Sequence, residues 1–211
     1  MTRTDIATKR RRRRPDGEMS RARILNAAKE IASERGYEGT SIGAVSAKCG
    51  LPASSIYWHF KDKDDLLTAV IESSFGAWLQ AWEFPTDGSI EQRAMAVAAQ
   101  IAKGLMNSPD FIRLGLMLAL ERRPEEPRAR AMYMGVRGRA YYALTSGFGE
   151  MLPDLTPNQI RQLTTYALAG ADGLFIAAEI SGNSIDLIEL FELHARALIA
   201  TATSMATGGN A

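Results

Sequence analysis

The stretch Thr40-Ser41-Ile42-Gly43-Ala44-Val45-Ser46-Ala47-Lys48-Cys49-Gly50-Leu51-Pro52-Ala53-Ser54-Ser55-Ile56-Tyr57-Trp58-His59-Phe60 decides how this chain is read. Thr40 or Ser41 can cap a short helix that turns Ile42 and Val45 inward. That helix ends at Cys49-Gly50, since glycine takes the left-handed conformation at little cost. Pro52 suits the first turn of a second short helix, where its missing N–H removes no hydrogen bond. Ile56 and Phe60 are its core residues. Each helix is apolar on one face only, so the pair needs a third element to pack on. The outer face of the second helix stays free and carries Ala53, Ser54, Ser55, Trp58 and His59. A helix so placed fits the major groove of B-DNA, about 12 Å wide. The hydroxyls of Ser54 and Ser55 reach base edges or phosphates, and the Ala53 methyl suits a thymine methyl.

The flanks supply the missing element. Upstream, Ile24, Leu25, Ala28, Ile31 and Ala32 follow three- and four-residue spacing from about Met19, the mark of one apolar helix face, and Gly36 stops it. Downstream, Asp62 can cap a fourth helix with Asp64 and Asp65 beside its positive N-terminus. This fourth helix carries Leu66, Leu67, Val70, Ile71, Phe75, Trp78 and Trp82.

The stretch Thr40 to Phe60, followed by Lys61-Asp62-Lys63-Asp64-Asp65-Leu66-Leu67, resembles the TetR family of transcriptional regulators over residues 19–67. The Tyr-x-x-Phe ending and the Lys-x-x-Leu-Leu start that follows carry the resemblance. Ser46 departs from it, standing where the family usually has alanine. The resemblance implies that Thr40, Tyr57, His59 and Lys63 contact phosphates, and that Ala53, Ser54 and Ser55 face the bases. Trp58 either packs along the sugar backbone or lies against the fourth helix. For Tyr57, His59 and Lys63 the alternative is an inter-helix wedge, a surface histidine and a solvated partner of Asp64 or Asp65.

Working further outward, residues 1–18 are polar and hold the run Lys9-Arg10-Arg11-Arg12-Arg13-Arg14. Nothing apolar orders them, so an unordered basic arm is expected. Arg11, Arg12 and Arg13 can enter the minor groove from such an arm and add affinity with little sequence information. The alternative is a solubility tail. Residues 1–60 carry 12 Lys+Arg against 6 Asp+Glu, whereas the rest of the 211-residue chain is net acidic. A basic head on an acidic body suits a polyanionic partner.

Beyond Phe84-Pro85-Thr86-Asp87-Gly88, helical segments are expected at about 89–107, 109–122, 125–151, 157–181 and 185–204. No segment alternates in the manner of a strand. The fold class is therefore all-α with about nine helices. The expected division is a basic arm (1–18), a helix-turn-helix domain (19–66), a helical ligand-binding and dimerisation domain (67–204) and a flexible tail (205–211).

Within the larger domain, Ala167, Gly170, Ala171, Leu174, Ala177 and Ala178 form a smooth face. Each helical glycine costs up to about 1 kcal/mol relative to alanine, which close packing would offset. The stretch resembles the penultimate helix of TetR-like proteins, which forms a four-helix dimer interface with the last. The resemblance places Ala167, Gly170, Leu174, Ala177 and Ala178 in a homodimer interface; packing within one chain is the alternative. Methionines and aromatics concentrate in the middle helices, and methionine adapts to loose apolar cavities. The ligand-lining candidates are Met117, Tyr133, Arg137 and Tyr141. Asp172 either hydrogen-bonds a ligand or completes a buried polar network.

Enzyme chemistry finds no support. The two histidines, His59 and His194, are far apart in sequence, with no metal-ligand cluster and no phosphate-binding loop. No cofactor is expected. Cys49 is the only cysteine, so no disulfide can form within the chain, which fits a reducing cytoplasm. No uncharged run approaches the ~20 residues that span a bilayer, so no membrane role is expected. The reading is a regulator, most simply a repressor, released from palindromic double-stranded DNA by a small and largely apolar ligand. Its rival is a ligand-independent architectural DNA-binding or protein-interaction module.

Overall fold

The periodicities of the sequence become nine α-helices in the computed structural model, which describes residues 3–80, 82–107, 109–122 and 124–208, with side chains apart from those of 3–15, 76–80, 183 and 208. In chain order they are α1 (Arg3–Gly39), α2 (Ile42–Cys49), α3 (Ala53–His59), α4 (Lys63–Gln80), α5 (Ile90–Asn107), α6 (Pro109–Leu120), α7 (Arg128–Met151), α8 (Pro157–Ser181) and α9 (Leu187–Gly208). A single 3-10 turn, Gly182–Ser184, separates the last two, and the described residues contain no strand.

Two ends differ from the sequence reading. The residues expected to form an unordered arm continue α1 back to Arg3. The side chains of Arg11, Arg12 and Arg13 lie outside the described residues. At the other end α9 reaches Gly208, into the stretch from residue 205 expected to be a flexible tail. Thr203 and Thr207 return their hydroxyls to the carbonyls of Ile199 and Thr203 one turn earlier.

The chain folds as two compact units, one of residues 1–75 with 110–134, the other of 76–109 with 135–211. The boundary expected after residue 66 falls inside the first of these units. The first unit takes in α6 and the start of α7 as well as the helix-turn-helix. Its core joins Ile24, Ala28, Ile31, Val45, Ile56, Leu66, Leu67 and Ile71 to Leu114 and Leu118, all essentially inaccessible to solvent. Phe111 stacks obliquely between Phe75 and Tyr133, with ring centroids 6.0 Å apart on each side. Gly115 opens the space into which the Tyr133 ring packs; a β-carbon there would overlap the ring.

In the second unit α9 packs along both α5 and α8. Phe148, Met151, Leu155, Ile160, Leu163, Ala167 and Ala202 form its core. Thr156 and Gln159 start α8 with a capping box, and the Gln159 amide donates to the Met205 carbonyl at 2.8 Å. Among the described residues, α8 is the one helix whose length and composition would suffice to cross a membrane. It carries Asp172 in an ion pair and is packed on α9 through Ala167 and Gly170.

Candidate nucleic-acid interface

The helix-turn-helix is built by backbone hydrogen bonds that the sequence can be seen to supply. Ser41, not Thr40, caps α2, its hydroxyl accepting from the Ala44 N–H at 3.1 Å. Gly50 closes α2 in the left-handed region (φ 66°), its N–H reaching the Ser46 carbonyl at 3.0 Å. Ser46 donates to the Leu51 carbonyl at 2.6 Å, so this departure from alanine fastens the turn between the two helices. Arg23 of α1 donates to the Cys49 carbonyl at 2.6 Å. The turn is thereby held from both sides.

Ile56 and Phe60 are buried as expected, and this fixes which face of α3 points outward. Tyr57 is 58% exposed and Trp58 76% exposed, so two adjacent rings stand on the outer face of α3. Ser54 is exposed, while Ala53, Ser55 and His59 are half-buried. Trp58 packs edge-on against His59, with centroids 4.5 Å apart, rather than on the fourth helix. Asp16, Gly17 and Ser20 of α1 form the other wall of an open groove of about 380 Å³, with Ser54, Ser55, Trp58 and His59 opposite. Burial, and then the charge of Arg21, hold the His59 imidazole below its ordinary pKa. Arg21 itself lies over the Phe60 ring at 5.4 Å.

Two of the expected phosphate contacts are placed elsewhere. Thr40 is 1% exposed, and its hydroxyl donates to the Gly36 carbonyl at 2.8 Å. Gly36 has φ 69° and ψ −173°, so the helical ladder breaks there and its carbonyl is satisfied by Thr40 instead. Thr40 is therefore a fold-fixing residue. Lys63 turns back to α1: it donates to the Tyr37 carbonyl at 3.1 Å, pairs with Glu38 at 3.5 Å and lies 4.3 Å above the Tyr37 ring.

Sequence reading missed the contacts on the other flank of this joint. Asp62 accepts from the Asp65 N–H at 2.7 Å, and Asp65 accepts from the Lys61 N–H at 2.9 Å. Asp64 accepts from the backbone N–H of both Arg128 (2.9 Å) and Ala129 (3.2 Å), so it caps α7 from a distance of 64 residues in sequence. The Arg128 guanidinium reaches Asp64 at 2.9 Å and Asp62 at 2.8 Å. Desolvation opposes the ionisation of Asp64, but the two backbone donors and the guanidinium outweigh it and hold the carboxyl below the usual range. The signal available was three aspartates in four residues, which local capping seemed to account for in full.

The ligand and dimer candidates scatter. Met117 lies against Gly36 at the α1 kink, with its sulfur 3.5 Å from the position a β-carbon would take. Tyr133 is 2% exposed within the aromatic core. Arg137 and Asp172 are brought together in a two-pronged ion pair between α7 and α8, one prong at 3.0 Å. Thr145 and Thr164 bond across the same seam at 3.3 Å. Tyr141 lies one turn from Arg137, half-buried, its carbonyl accepting from Thr145. Ala167 is buried in the core, and the His194 ring occupies the space beside Gly170. These two residues pack within the chain, and Leu174, Ala177 and Ala178 are half-buried beside them. The outward stripe of α8 is Tyr166, Ala169, Gly173, Ile176 and Ile180.

The family described as "Bacterial regulatory proteins, tetR family" matches residues 24–70. That match takes in the helix-turn-helix and the helices that flank it. The same region carries the similarity to the transcriptional regulator AcrR of Shigella flexneri, 36% identical over 64 residues, 30% of each protein. The transcriptional regulator UidR of Escherichia coli strain K12 is 34% identical over 73 residues, 35% of this chain and 37% of that protein. The chain thus aligns with about a third of the length of these relatives. The helical architecture is shared more widely. The transcriptional regulator FadR of Bacillus subtilis, solved with stearoyl-CoA, superposes with a TM-score of 0.70 at 17% identity, covering 85% of this chain and 98% of that one.

Proposed function

We propose that this protein is a DNA-binding transcriptional regulator of the tetR type, most simply a cytoplasmic homodimeric repressor without enzymatic activity. The observation that carries the reading is the outer face of α3, where Tyr57 and Trp58 stand exposed beside Ser54, Ser55 and His59 on a tetR-family domain. In this reading Ala53, Ser54 and Ser55 read base edges, while Tyr57, Trp58 and His59 contact the sugar-phosphate backbone. The arginine run at 10–14 adds phosphate contacts that carry no sequence information.

A second copy of the chain covers the outward stripe of α8, Tyr166, Ala169, Gly173, Ile176 and Ile180, together with exposed Leu193, Ala197 and Ala200 of α9. Two helices from each protomer then bury apolar surface that one protomer leaves open. The ligand is a small, largely apolar molecule. The polar seam of Arg137, Tyr141 and Asp172 is the candidate for orienting it, and the fold shared with a regulator solved with stearoyl-CoA supports an apolar ligand. DNA affinity falls by the ligand's differential affinity for the two protein states and no more.

The test is release. A fluorescent duplex bound by the protein is titrated with ligands that carry a long apolar chain, amphipathic stearoyl-CoA and an uncharged long-chain compound among them, and anisotropy is followed. Dissociation at ligand concentrations that leave the protein folded supports the reading. Ligands that bind without changing DNA affinity would sink the derepression mechanism and favour an architectural module.

A further inference from the structure

Arg128 stands at the N-terminus of α7, far from α3 in sequence, yet it grips the joint from which α3 is presented. That joint is three residues long. α3 ends at His59, Phe60 follows, and Lys61-Asp62 lead into α4 at Lys63. Its own hydrogen bonds are local: Asp62 to the Asp65 N–H and Asp65 to the Lys61 N–H. Local caps of this kind fray with the first turn of a helix, because exposed carboxylates exchange protein partners for water readily.

Two further attachments convert the joint into a fixed corner. On one side Lys63 is tied to the Tyr37 carbonyl and Glu38 at the end of α1. On the other, Arg128 bonds Asp62 and Asp64 at once, and also lies 4.0 Å from Asp65. The planar guanidinium holds two carboxylates in a set orientation, which a flexible ammonium does less well. The backbone N–H groups of Arg128 and Ala129 complete the attachment through Asp64. Each contact belongs to the unit that contains the helix-turn-helix, so the corner and α3 form one body.

We infer that Arg128 is a positioning residue for DNA recognition: it touches no base, and sets the angle at which α3 leaves α4 by binding Asp62 and Asp64 together. The inference rests on the reading of α3 as the DNA-recognition helix. A helix held within a groove must keep several side chains in register with base edges at once, and errors of about 1 Å in a supporting shell are enough to lose such contacts. Sequence-independent binding tolerates the same error, because phosphates present charge along the whole duplex.

The experiment compares the full-length protein with Arg128→Ala, Arg128→Lys and Asp62→Asn, using the duplex that the unaltered protein selects and a scrambled duplex. Both Arg128 variants keep the backbone caps on Asp64, and Asp62→Asn keeps an oxygen to accept from Asp65. For Arg128→Ala, affinity for the selected duplex is expected to fall about tenfold, with scrambled-duplex affinity changed less than about twofold and the salt slope preserved. Arg128→Lys recovers part of the loss, and Asp62→Asn reproduces it. Unchanged selectivity in a folded Arg128→Ala protein overturns the inference. So does a salt slope shallower by about 0.9, the mark of a direct phosphate contact. If Arg128→Ala does not fold, Arg128→Lys and Asp62→Asn decide by the same two readouts. Failure of the unaltered protein to select any duplex would instead overturn the proposed function, a result distinguishable from the others.

Discussion

The imidazole of His194 on α9 fills the space beside Gly170 on α8, and its Nε2 lies 3.1 Å from the Ala167 carbonyl. This contact turns the Ala167–Gly170 face of α8 toward α9 within the chain. A β-carbon at position 170 would overlap the ring, so Gly170→Val must either turn His194 out of its contact with the Ala167 carbonyl or move α8 away from α9. Overpacking of this kind costs typically about 1–3 kcal/mol. Chemical denaturation of Gly170→Val is expected to show that loss. A variant as stable as the parent would mean that the ring or the helix moves freely.

The opposite face of α8 makes the complementary prediction. Ile180 is 80% exposed, and Ile176 and Tyr166 lie on the same stripe. Ile176→Glu with Ile180→Glu is expected to convert the proposed dimer into a folded monomer by sedimentation, with little change in protomer helicity. A dimer that survives both changes would place the interface elsewhere.

Thr40 separates a structural role from a DNA contact. Its hydroxyl satisfies the Gly36 carbonyl at the kink of α1 in a site closed to solvent. Thr40→Val leaves that carbonyl unsatisfied and is expected to cost about 1–3 kcal/mol of stability. The salt dependence of DNA binding by the folded fraction stays as it was. A slope reduced with no loss of stability would restore Thr40 as a phosphate contact.

The carboxyl of Asp64 titrates below its ordinary range because the α7 N-terminus and Arg128 favour its charged form. A depressed folded-state pKa contributes stability that is fully present above the unfolded value, about pH 4, and is lost as pH falls through the folded one. Melting temperature is therefore expected to drop on acidification below about pH 4 more steeply in the parent than in Asp64→Asn. Parallel profiles for the two would mean that the α4–α7 attachment contributes no net stability.

Much of the helix-turn-helix was legible because its determinants are local. Gly50 closes α2, Pro52 precedes α3, and Ile56 and Phe60 repeat at helical spacing, so neighbouring residues alone specify the turn and the exposed face. Thr40 was misplaced because a hydroxyl beside a helix start caps or contacts phosphate equally well on paper. Only the positive φ of Gly36 reveals the carbonyl it satisfies. Ala167 and Gly170 were read as a dimer face, and the structure packs both within the chain; their stripe is as smooth in sequence as the outward one of Tyr166, Ala169 and Gly173. Asp64 and Arg128 were beyond reach, since 64 residues separate them and each has a local explanation.

The account turns on whether the outer face of α3 reads DNA sequence, and selection from a random duplex pool by the purified full-length protein at near-physiological salt tests this most directly. The predicted result is one palindrome whose half-sites lie about one helical turn apart, as two symmetry-related recognition helices require. Ser55→Ala should then change base preference within a half-site, while Tyr57→Ala weakens all sequences alike. Recovery of sequence-independent, salt-sensitive binding alone would contradict the account and leave the basic stretch of α1 as the DNA contact.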